Sequence, residues 1–277
     1  MLTRVRSMLF MPGNRPEMIA KIPRFAPDVA VADLEDAVAA DAKEAARPVA
    51  AEAIGALATD PATAVLVRVN PVGTPWFTGD IVMAASCGAA GVVVPKLETG
   101  PQLDHLREAL AGWPDAIVIL GLETVLGVAD ARPLLARAAG DGAAAAYFGA
   151  EDYIADLGGR RSRGSQEVLY ARSQVSLAAR LAGIPAIDQV VTDLSDDEHF
   201  RADARAARDL GYQGKCCIHP RQVGLAREVF TPTDAEVTHA RAVVAAGVAG
   251  VAVVDGEMID DVHVRMARAV LARADAG

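Results

Sequence analysis

Short apolar, β-branched runs recur along this chain at intervals of about 25 to 35 residues, and Ala-rich amphipathic stretches of helical length separate them. The apolar runs predict eight strands, at Val5–Phe10, Val29–Leu34, Val65–Asn70, Gly91–Pro95, Ala116–Leu122, Ala144–Gly149, Ala186–Asp188 and Lys215–Ile218. The stretches between them predict helices at Glu17–Phe25, Lys43–Leu57, Pro75–Ser86, Pro101–Ala111, Gly127–Ala139, Gln166–Ala182 and Asp196–Leu210. This alternation indicates repeated βα units around a parallel sheet.

Eight parallel strands favour closure of the sheet into a (β/α)₈ barrel. An open doubly wound sheet fits the same alternation, but no G-x-G-x-x-G motif follows a predicted strand, which disfavours its dinucleotide-binding form. Beyond the eighth strand the pattern changes to a helix at Arg221–Val229, Pro232, a long helix from about Asp234, a strand at Val251–Val254 and a last helix. We therefore predict an α/β barrel over residues 1–230 and a helical appendage over residues 231–277.

Composition and charge narrow the classes of function. Of the 277 residues, 52% are hydrophobic and 4% aromatic, so the core is aliphatic, and the formal net charge is −9. A nucleic-acid or anionic-membrane partner needs a broad cationic surface, which this charge argues against. The longest apolar stretch, Ala242–Val254, is too short and glycine-broken to span a bilayer, and the run Met8–Met11 is shorter than a signal-peptide core. We expect a cytoplasmic protein without membrane or nucleic-acid partners.

Charged side chains follow almost every predicted strand. In chain order the polar residues at these strand ends are Asp33, Glu35, Asp36, Arg68, Asn70, Lys96, Glu123, Glu151, Asp152, Asp188 and His219. In a (β/α)₈ barrel the carboxyl ends of all strands meet at one face, where active sites lie. The pattern therefore predicts one polar site at that face, with His219 among its substrate contacts.

A metal ion is the simplest explanation for so many carboxylates at that face. Converging carboxylates repel each other in a site of low dielectric unless a cation or protons neutralise them. Two carboxylates, water and ligand oxygens form the shell that Mg²⁺ prefers, and no pair of histidines favours zinc. From their positions we predict Glu123 and Asp152 as the magnesium ligands.

The alternative is that these carboxylates cap the helices that follow the strands, a role that suits Asp36 and Glu151 best. Capping does not explain Arg68 and Lys96, because a cation at a helix start opposes the helix dipole. We therefore predict an anion pocket for substrate beside the metal, formed by Arg68 and Lys96. The three arginines of the loop 158–165 fit either a solvated surface loop or a phosphate contact.

A series of motifs occurs in order along nearly the whole chain: RSMLFMPGNRPEM, VADLEDAV, LVRVNPVGTPW, VVVPKLE, GLETVLGV, FGAEDYIADLG, YARSQ, GIPAIDQV, CIHPRQ and VDGEMID. Together they resemble the citrate lyase β-subunit and its free-standing relatives, including citramalyl-CoA and malyl-CoA lyases. The resemblance implies a (β/α)₈ barrel, a homotrimer or hexamer, and Mg²⁺ bound by the Glu of ETxxGV and the Asp of GAED. These two residues are Glu123 and Asp152 in this chain.

The resemblance also implies roles for other residues. Arg68 would hold the carboxylate or keto oxygen of the cleaved acid near the metal, and Arg15 and Lys21 would contact coenzyme A or an acyl carrier. Asp260, which ends the VDGEMID motif, would move a proton to and from the thioester methyl group. It would reach the barrel of a neighbouring subunit from the appendage, which then acts as a lid. Residue type alone suits Asp260 equally well as the N-cap of the last helix.

We expect a Mg²⁺-dependent carbon–carbon lyase that cleaves or forms a short 3-hydroxyacyl-CoA such as citramalyl-CoA or malyl-CoA. Cleavage would release acetyl-CoA and a 2-oxo acid. Three alternatives fit the same residues: a citrate lyase β subunit acting on a carrier-bound citryl thioester, an aldolase of free 2-oxo acids, and an acyl-CoA thioesterase. The identity of the acid stays open, because one methyl group in a pocket discriminates by only about 1 to 3 kcal/mol.

Overall fold

Eight short parallel strands form a closed barrel in the computed structural model, which describes residues 5–57, 64–247 and 251–275. The strands are β1 (Ser7–Pro12), β2 (Val29–Asp33), β3 (Val65–Arg68), β4 (Gly91–Val94), β5 (Ile117–Leu122), β6 (Ala145–Phe148), β7 (Ala186–Asp188) and β8 (Gly214–Cys217). Each strand pairs with the next in chain order, and β8 returns to β1 in the register Met8↔Cys216. The predicted (β/α)₈ barrel is confirmed.

Helices follow the strands as the alternation predicts. They are α1 (Pro16–Ile19), α2 (Ile22–Phe25), α3 (Lys43–Leu57), α4 (Phe77–Ser86), α5 (Gly100–Ala109), α6 (Val125–Ala129), α7 (Ala131–Gly140), α8 (Ala150–Leu157), α9 (Leu169–Ala182), α10 (Asp197–Asp209) and α11 (Pro220–Phe230). Single 3₁₀ turns precede two of them, at Ala40–Ala42 and Gln166–Val168. The bounds of α3 coincide with the predicted helix.

Two of the predicted helices are wrong because each is interrupted. The stretch Glu17–Phe25 divides into α1 and α2, and the stretch Gly127–Ala139 divides into α6 and α7. Pro23 and Pro133 each lack the N–H that would bond to the carbonyl four residues earlier, so each break lies just before a proline-containing first turn.

Helix α8 was not predicted, and it changes the position of Asp152. The strand β6 runs through Gly149 directly into α8, so no polar N-cap separates the two elements. Glu151 and Asp152 occupy the first turn of α8, where carboxylates interact favourably with the helix dipole. Asp152 therefore lies one helical turn beyond the strand end.

Alternating strand residues point into the barrel and determine which charges reach its mouth. The inner residues include Met8, Val31, Leu66, Val93, Ile119, Tyr147, Ile187 and Cys216, which pack as one cluster. Side chains alternate along a strand with a period of two, so the next inward positions beyond this cluster are Asp33, Glu35, Arg68 and Glu123. Strand period thus brings these four charges to the carboxyl-terminal face of the barrel.

Asp188 is absent from that mouth, contrary to the predicted ring of strand-end charges. It follows the inward-facing Ile187, so its side chain lies behind the sheet and is fully buried there. Lys215 Nζ lies 2.5 Å from Asp188 Oδ2 and 2.5 Å from Asp203 Oδ2, and Arg172 bonds to the same two carboxylates. This buried network joins β7 and β8 to α9 and α10.

The chain divides into two compact units, Met1–Arg227 and Glu228–Gly277. The second unit contains α12 (Asp234–Ala246), β9 (Ala252–Val254), β10 (Glu257–Ile259) and α13 (Asp261–Asp275). Residues 248–250, inside the apolar stretch noted above, lie outside the described residues. No helix in the described ranges is long and apolar enough to cross a membrane.

The strand β10 was not predicted, although its signal is readable. β9 and β10 form an antiparallel hairpin whose turn residues, Asp255 and Gly256, have φ angles of 52° and 85°. Asp-Gly is the residue pair that favours such a two-residue turn, because both positions need positive φ. The segment beyond the first strand is therefore a hairpin that packs with α12 and α13.

The buried network behind β8 predicts a large stability effect for Lys215→Met. Removing the ammonium leaves the two buried carboxylates with Arg172 and the neutral amide of Gln189 as partners, which should lower the free energy of unfolding by about 3 to 5 kcal/mol. Urea denaturation measures the change, and the exposed Lys21→Met serves as the control. A loss below about 1 kcal/mol for Lys215→Met would contradict a charge network that stabilises the barrel wall.

Candidate active site

A cavity of about 310 Å³ opens at the carboxyl-terminal mouth of the barrel. Its wall contains three of the predicted site residues, Arg68, Glu123 and Asp152. Other residues of the wall include Phe10, Met11, Asp33, Asp36, Tyr147, Gly149, Glu151, Val190, Cys216 and Ile218. Arg68, Glu123 and Asp152, which come from three separate βα units, thus share one wall. The cavity has the mixed lining that is typical of small-molecule sites.

Glu123 is buried at the inner end of this cavity, directly after β5. Its Oε1 accepts hydrogen bonds from Tyr147 Oη at 2.9 Å and from the backbone N–H of Lys96 at 2.9 Å. Burial raises the pKa of Glu123 to about 8; Arg68 opposes this shift, whereas the charges of Glu35 and Asp152 add to it. A cation beside Glu123 would therefore be favourable.

Arg68 is held by two carboxylates, one at the end of β2 and one just beyond it. Its Nε and Nη2 donate to Asp33 at 2.8 and 2.6 Å, and its Nη1 lies 2.9 Å from Glu35 Oε2. Asp36 Oδ2 lies 3.8 Å from Arg68 Nη1. Two of the five guanidinium N–H groups thus donate to Asp33, and the Nη1 end forms an ion pair with Glu35.

Lys96 connects the remaining carboxylates. Its Nζ lies 2.5 Å from Glu35 Oε1, 3.5 Å from Asp36 Oδ1 and 3.3 Å from Asp152 Oδ1. Its backbone has a φ of 53°, an uncommon conformation for a non-glycine residue, and in this conformation its N–H bonds to Glu123. Lys96 therefore contacts both predicted metal ligands, one through the backbone and the other through the ammonium.

The donor atoms fit a hard divalent cation. Glu123 and Asp152 supply only oxygen, and Asp152 is 33% exposed, which leaves it accessible to an ion and its water. Among residues 5–57, 64–247 and 251–275, no three His, Cys, Asp or Glu side chains are grouped as a metal site. The protein part of such a site is therefore two carboxylates, and water and substrate oxygens would complete the octahedron.

The other predicted substrate contacts lie outside the cavity wall. Arg15 is exposed and pairs with Glu17 at 2.6 Å, and Lys21 is exposed at the start of α2. His219 is exposed beyond β8, where its Nδ1 accepts the backbone N–H of Arg221 at 3.2 Å. The structure therefore brings Arg68, Glu123, Asp152 and Lys96 together, whereas Arg15, Lys21 and His219 stay predictions.

Asp260 lies in the second unit, where it caps α13. Its Oδ1 accepts the backbone N–H of Val262 at 2.8 Å and lies 2.7 Å from His263 Nδ1. These hydrogen bonds, that of His263 first, lower the pKa of Asp260. Asp260 thus caps the last helix, as residue type alone suggests. Its side chain is also 42% exposed and so accessible to a second protein surface, which the catalytic alternative requires.

The loop 158–165 is not uniformly solvated. Arg161 pairs with Glu151 at 2.9 Å and also with Glu167, whereas Arg160 is exposed and Arg163 pairs with Asp196 on the surface. Arg161 therefore anchors the loop to the first turn of α8, next to Asp152.

The sequence profile of the HpcH/HpaI aldolase/citrate lyase family matches residues 6–220, which include every barrel strand from β1 to β8. The chain belongs to this family. The prediction of a citrate lyase β-like relative is thereby confirmed, and with it the carbon–carbon lyase class of the aldolase/citrate lyase superfamily.

Several members of the HpcH/HpaI aldolase/citrate lyase family resemble this chain along its length. A citrate lyase subunit beta-like protein of Deinococcus radiodurans is 50% identical over 277 residues, which cover 96% of each chain. The citrate lyase subunit beta of Leuconostoc mesenteroides is 33% identical and a (3S)-malyl-CoA thioesterase of Cereibacter sphaeroides is 31% identical, each over 98% of this chain and over 93% and 95% of their own.

A solved member of the family carries ligands. The crystal structure of CitE from Mycobacterium tuberculosis contains magnesium, acetoacetate and coenzyme A. It matches this chain with a TM-score of 0.80 and 34% identity over 97% of both chains.

The burial of Glu123 in this family member predicts a pH-dependent stability difference. Its folded-state pKa of about 8 exceeds the ordinary value of 4.5, so the folded protein binds this proton more tightly than the unfolded chain. The stabilisation that this tighter proton binding gives the folded protein is present below about pH 4.5 and is lost as pH rises to about 8. Relative to Glu123→Gln, the parent should therefore lose on the order of 4 kcal/mol of unfolding free energy across that range.

Chemical denaturation between pH 5 and 8, in a chelator to remove metal ions, measures this difference. The exposed Glu108→Gln on α5 controls for the loss of one carboxylate. A parent-minus-variant difference that is constant with pH would contradict a buried, proton-binding Glu123.

Proposed function

We propose that this chain is a Mg²⁺-dependent lyase that cleaves a short 3-hydroxyacyl-CoA, of the citramalyl-CoA or malyl-CoA type, into acetyl-CoA and a 2-oxo acid. The observation that carries the proposal is the shared cavity wall on which Arg68 lies with two carboxylates, Glu123 and Asp152. Magnesium in the related CitE structure and the thioester substrate in the name of the related thioesterase support it.

Cleavage breaks the bond between C2 and C3 of the acyl chain. The C3 hydroxyl gives up its proton to solvent water and becomes the carbonyl of the 2-oxo acid, while the electron pair of the broken bond passes to C2 as a thioester enolate. Protonation of that carbon then yields the acetyl thioester. Catalysis therefore requires stabilisation of the charge on the C3 oxygen and delivery of a proton to C2.

Glu123 and Asp152 are proposed to hold Mg²⁺ where it meets the hydroxyl and carboxylate oxygens of the acid end. The metal would supply Lewis-acid polarisation of the oxygen that becomes a carbonyl. Arg68, which lines the same cavity, would pair with the acid's carboxylate. Because Asp33 already occupies its fork at 2.8 and 2.6 Å, Arg68 is fixed before substrate arrives, so little side-chain entropy is lost on binding.

Asp260 is proposed to deliver the proton to C2 from a neighbouring copy. It lies between Met258 and Val262, and Met266 follows one turn later; the two methionines are 65% and 64% exposed. Exposed apolar side chains around a carboxylate suit a surface that docks on another one. Docking would also remove water from Asp260 and so raise its pKa from the lowered value that it has when exposed.

We infer a homotrimer or hexamer, in which residues 231–277 cover a neighbour's barrel of residues 1–230. The outer face of α9 supports association, because Tyr170, Leu177 and Leu181 are exposed there along one stripe. Coenzyme A, or a carrier with the same pantetheine arm, would extend out of the cavity towards cationic side chains, and Arg15 and Lys21 are the proposed contacts.

The decisive assay separates cleavage from hydrolysis. The purified chain, with Mg²⁺, is incubated with malyl-CoA and citramalyl-CoA, and with acetyl-CoA plus a panel of 2-oxo acids, and products are identified by mass. We expect acetyl-CoA with a 2-oxo acid, loss of activity in chelator, and at least about a hundredfold loss in Glu123→Gln and Asp152→Asn. Glu108→Gln serves as the matched control.

Other products would identify one of the alternatives. Free coenzyme A with the intact hydroxy acid would indicate a thioesterase, which the Cereibacter relative favours. Turnover of free hydroxy acids without coenzyme A would indicate an aldolase, and activity confined to a carrier-bound thioester would indicate a citrate lyase β subunit. Each of these results would contradict the proposed reaction.

The shared site predicts rescue between two inactive variants. Asp260→Asn should bind substrate and Mg²⁺ normally yet lower kcat by about a hundredfold or more, because the enolate is left without its acid. Mixing Asp260→Asn with Glu123→Gln protomers should restore part of the activity, since some sites then combine an intact barrel with an intact Asp260. Full activity of Asp260→Asn alone, or no rescue in verified mixed oligomers, would contradict the role or the sharing respectively.

A further inference from the structure

The fully buried phenol Tyr147 has no role in the reaction described so far. It lies at an inward position of β6, on the wall of the same cavity as Glu123 and Arg68. Its hydroxyl donates to Glu123 Oε1 at 2.9 Å, and its ring meets Phe10 edge-on with 6.2 Å between the ring centroids. The phenol thus contacts the proposed metal ligand itself.

Two glycines make room for this arrangement. Gly121 of β5 is the register partner of Tyr147, and a Cβ on Gly121 would lie 2.5 Å from the phenol oxygen. Gly149, two residues beyond Tyr147 on the same side of the chain, leaves space in which a Cβ would overlap the carboxylate of Glu123. The phenol rests over one glycine and the carboxylate over the other.

Both hydrogen bonds to Glu123 converge on one oxygen. Tyr147 Oη and the Lys96 N–H each lie 2.9 Å from Oε1, so this atom is held from two sides. A carboxylate fixed at one oxygen cannot rotate freely about its last bond, and the direction of Oε2 is thereby determined. Preorganisation of this kind raises ligand affinity, because the site does not have to be ordered when the ligand enters.

We propose that Tyr147 is a positioning residue, whose hydrogen bond to Oε1 of Glu123 directs the other carboxylate oxygen towards the bound magnesium. The proposal rests on the proposed function of Glu123 as a metal ligand. Tyr147 does not touch the reacting atoms in this account, and its effect passes through Glu123.

A second buried tyrosine supplies a matched control. Tyr212 is also fully buried, and its hydroxyl donates to the backbone carbonyl of Arg172 at 2.7 Å, within the network behind the sheet. Tyr147→Phe and Tyr212→Phe each remove one hydroxyl and one buried hydrogen bond. Only the first of these bonds reaches a proposed metal ligand.

Mg²⁺ titration calorimetry on the full-length chain at one fixed pH tests the proposal. Loss of a hydrogen bond to a charged group should weaken Mg²⁺ binding about tenfold in Tyr147→Phe and leave it within twofold of the parent in Tyr212→Phe. Gly121→Ala, whose Cβ would displace the phenol, should weaken binding in the same direction. Gly140→Ala, where a Cβ meets open space, should not. Raised Mg²⁺ should restore the kcat of Tyr147→Phe.

Glu123→Gln, measured beside these variants, separates two kinds of failure. If Glu123→Gln abolishes Mg²⁺ binding while Tyr147→Phe leaves it unchanged, the positioning role is wrong and the metal site stands. If Glu123→Gln leaves Mg²⁺ binding unchanged, the metal site itself is wrong, and the positioning role falls with it. Equal weakening in Tyr147→Phe and Tyr212→Phe would reduce the effect to general destabilisation and would also overturn the proposal.

Discussion

A carboxylate removed from water keeps its charge only where cations or hydrogen-bond donors replace the lost solvent, and Glu123 is buried under that constraint. The residues around Glu123 compensate for its burial. Arg68 brings positive charge, and Tyr147 and the Lys96 backbone bring two donors to Oε1. Because Glu35 and Asp152 add negative charge nearby, this compensation is incomplete, and the pKa of Glu123 rises to about 8. A divalent cation bound by Glu123 and Asp152 would complete the balance.

Charged groups behind the sheet and charged groups at the barrel mouth differ in how completely they are partnered. Behind the sheet, Lys215 and Arg172 face Asp188 and Asp203 in a fully satisfied network, which ties strands to helices. Inside the mouth, Glu35 Oε2 is buried beside Arg68 Nη1 without a hydrogen bond, and Asp152 is partly exposed. Groups with full sets of partners stabilise a fold, whereas groups with incomplete sets are available to a ligand. The positions of these charges thus separate the stabilising side of the wall from the reactive side.

Most of the fold and part of the site could be predicted from the recurring apolar runs and from the residues that end them. The eight apolar runs lie within a few residues of β1 to β8, and the residues that end them supply Arg68 and Glu123. Pairwise geometry could not be predicted, so Asp33 was missed as the partner of Arg68, and the direction of Asp188 depends on one residue of register. Tyr147 was missed because an aromatic residue in an apolar strand is ordinarily core; only the glycine opposite it, Gly121, hints at a close contact.

The location of the bound metal tests whether Glu123 and Asp152 are its ligands. Crystals of the protein grown or soaked with Mn²⁺, a scatterer that can replace Mg²⁺, would show the ion by its anomalous signal. If Glu123 and Asp152 bind the metal, one strong peak lies at the barrel mouth, within about 2.3 Å of a carboxylate oxygen of each residue, with water in the remaining positions. A peak held by other carboxylates, such as Glu35 and Asp36, with Glu123 outside its coordination shell, would contradict this assignment of the ligands.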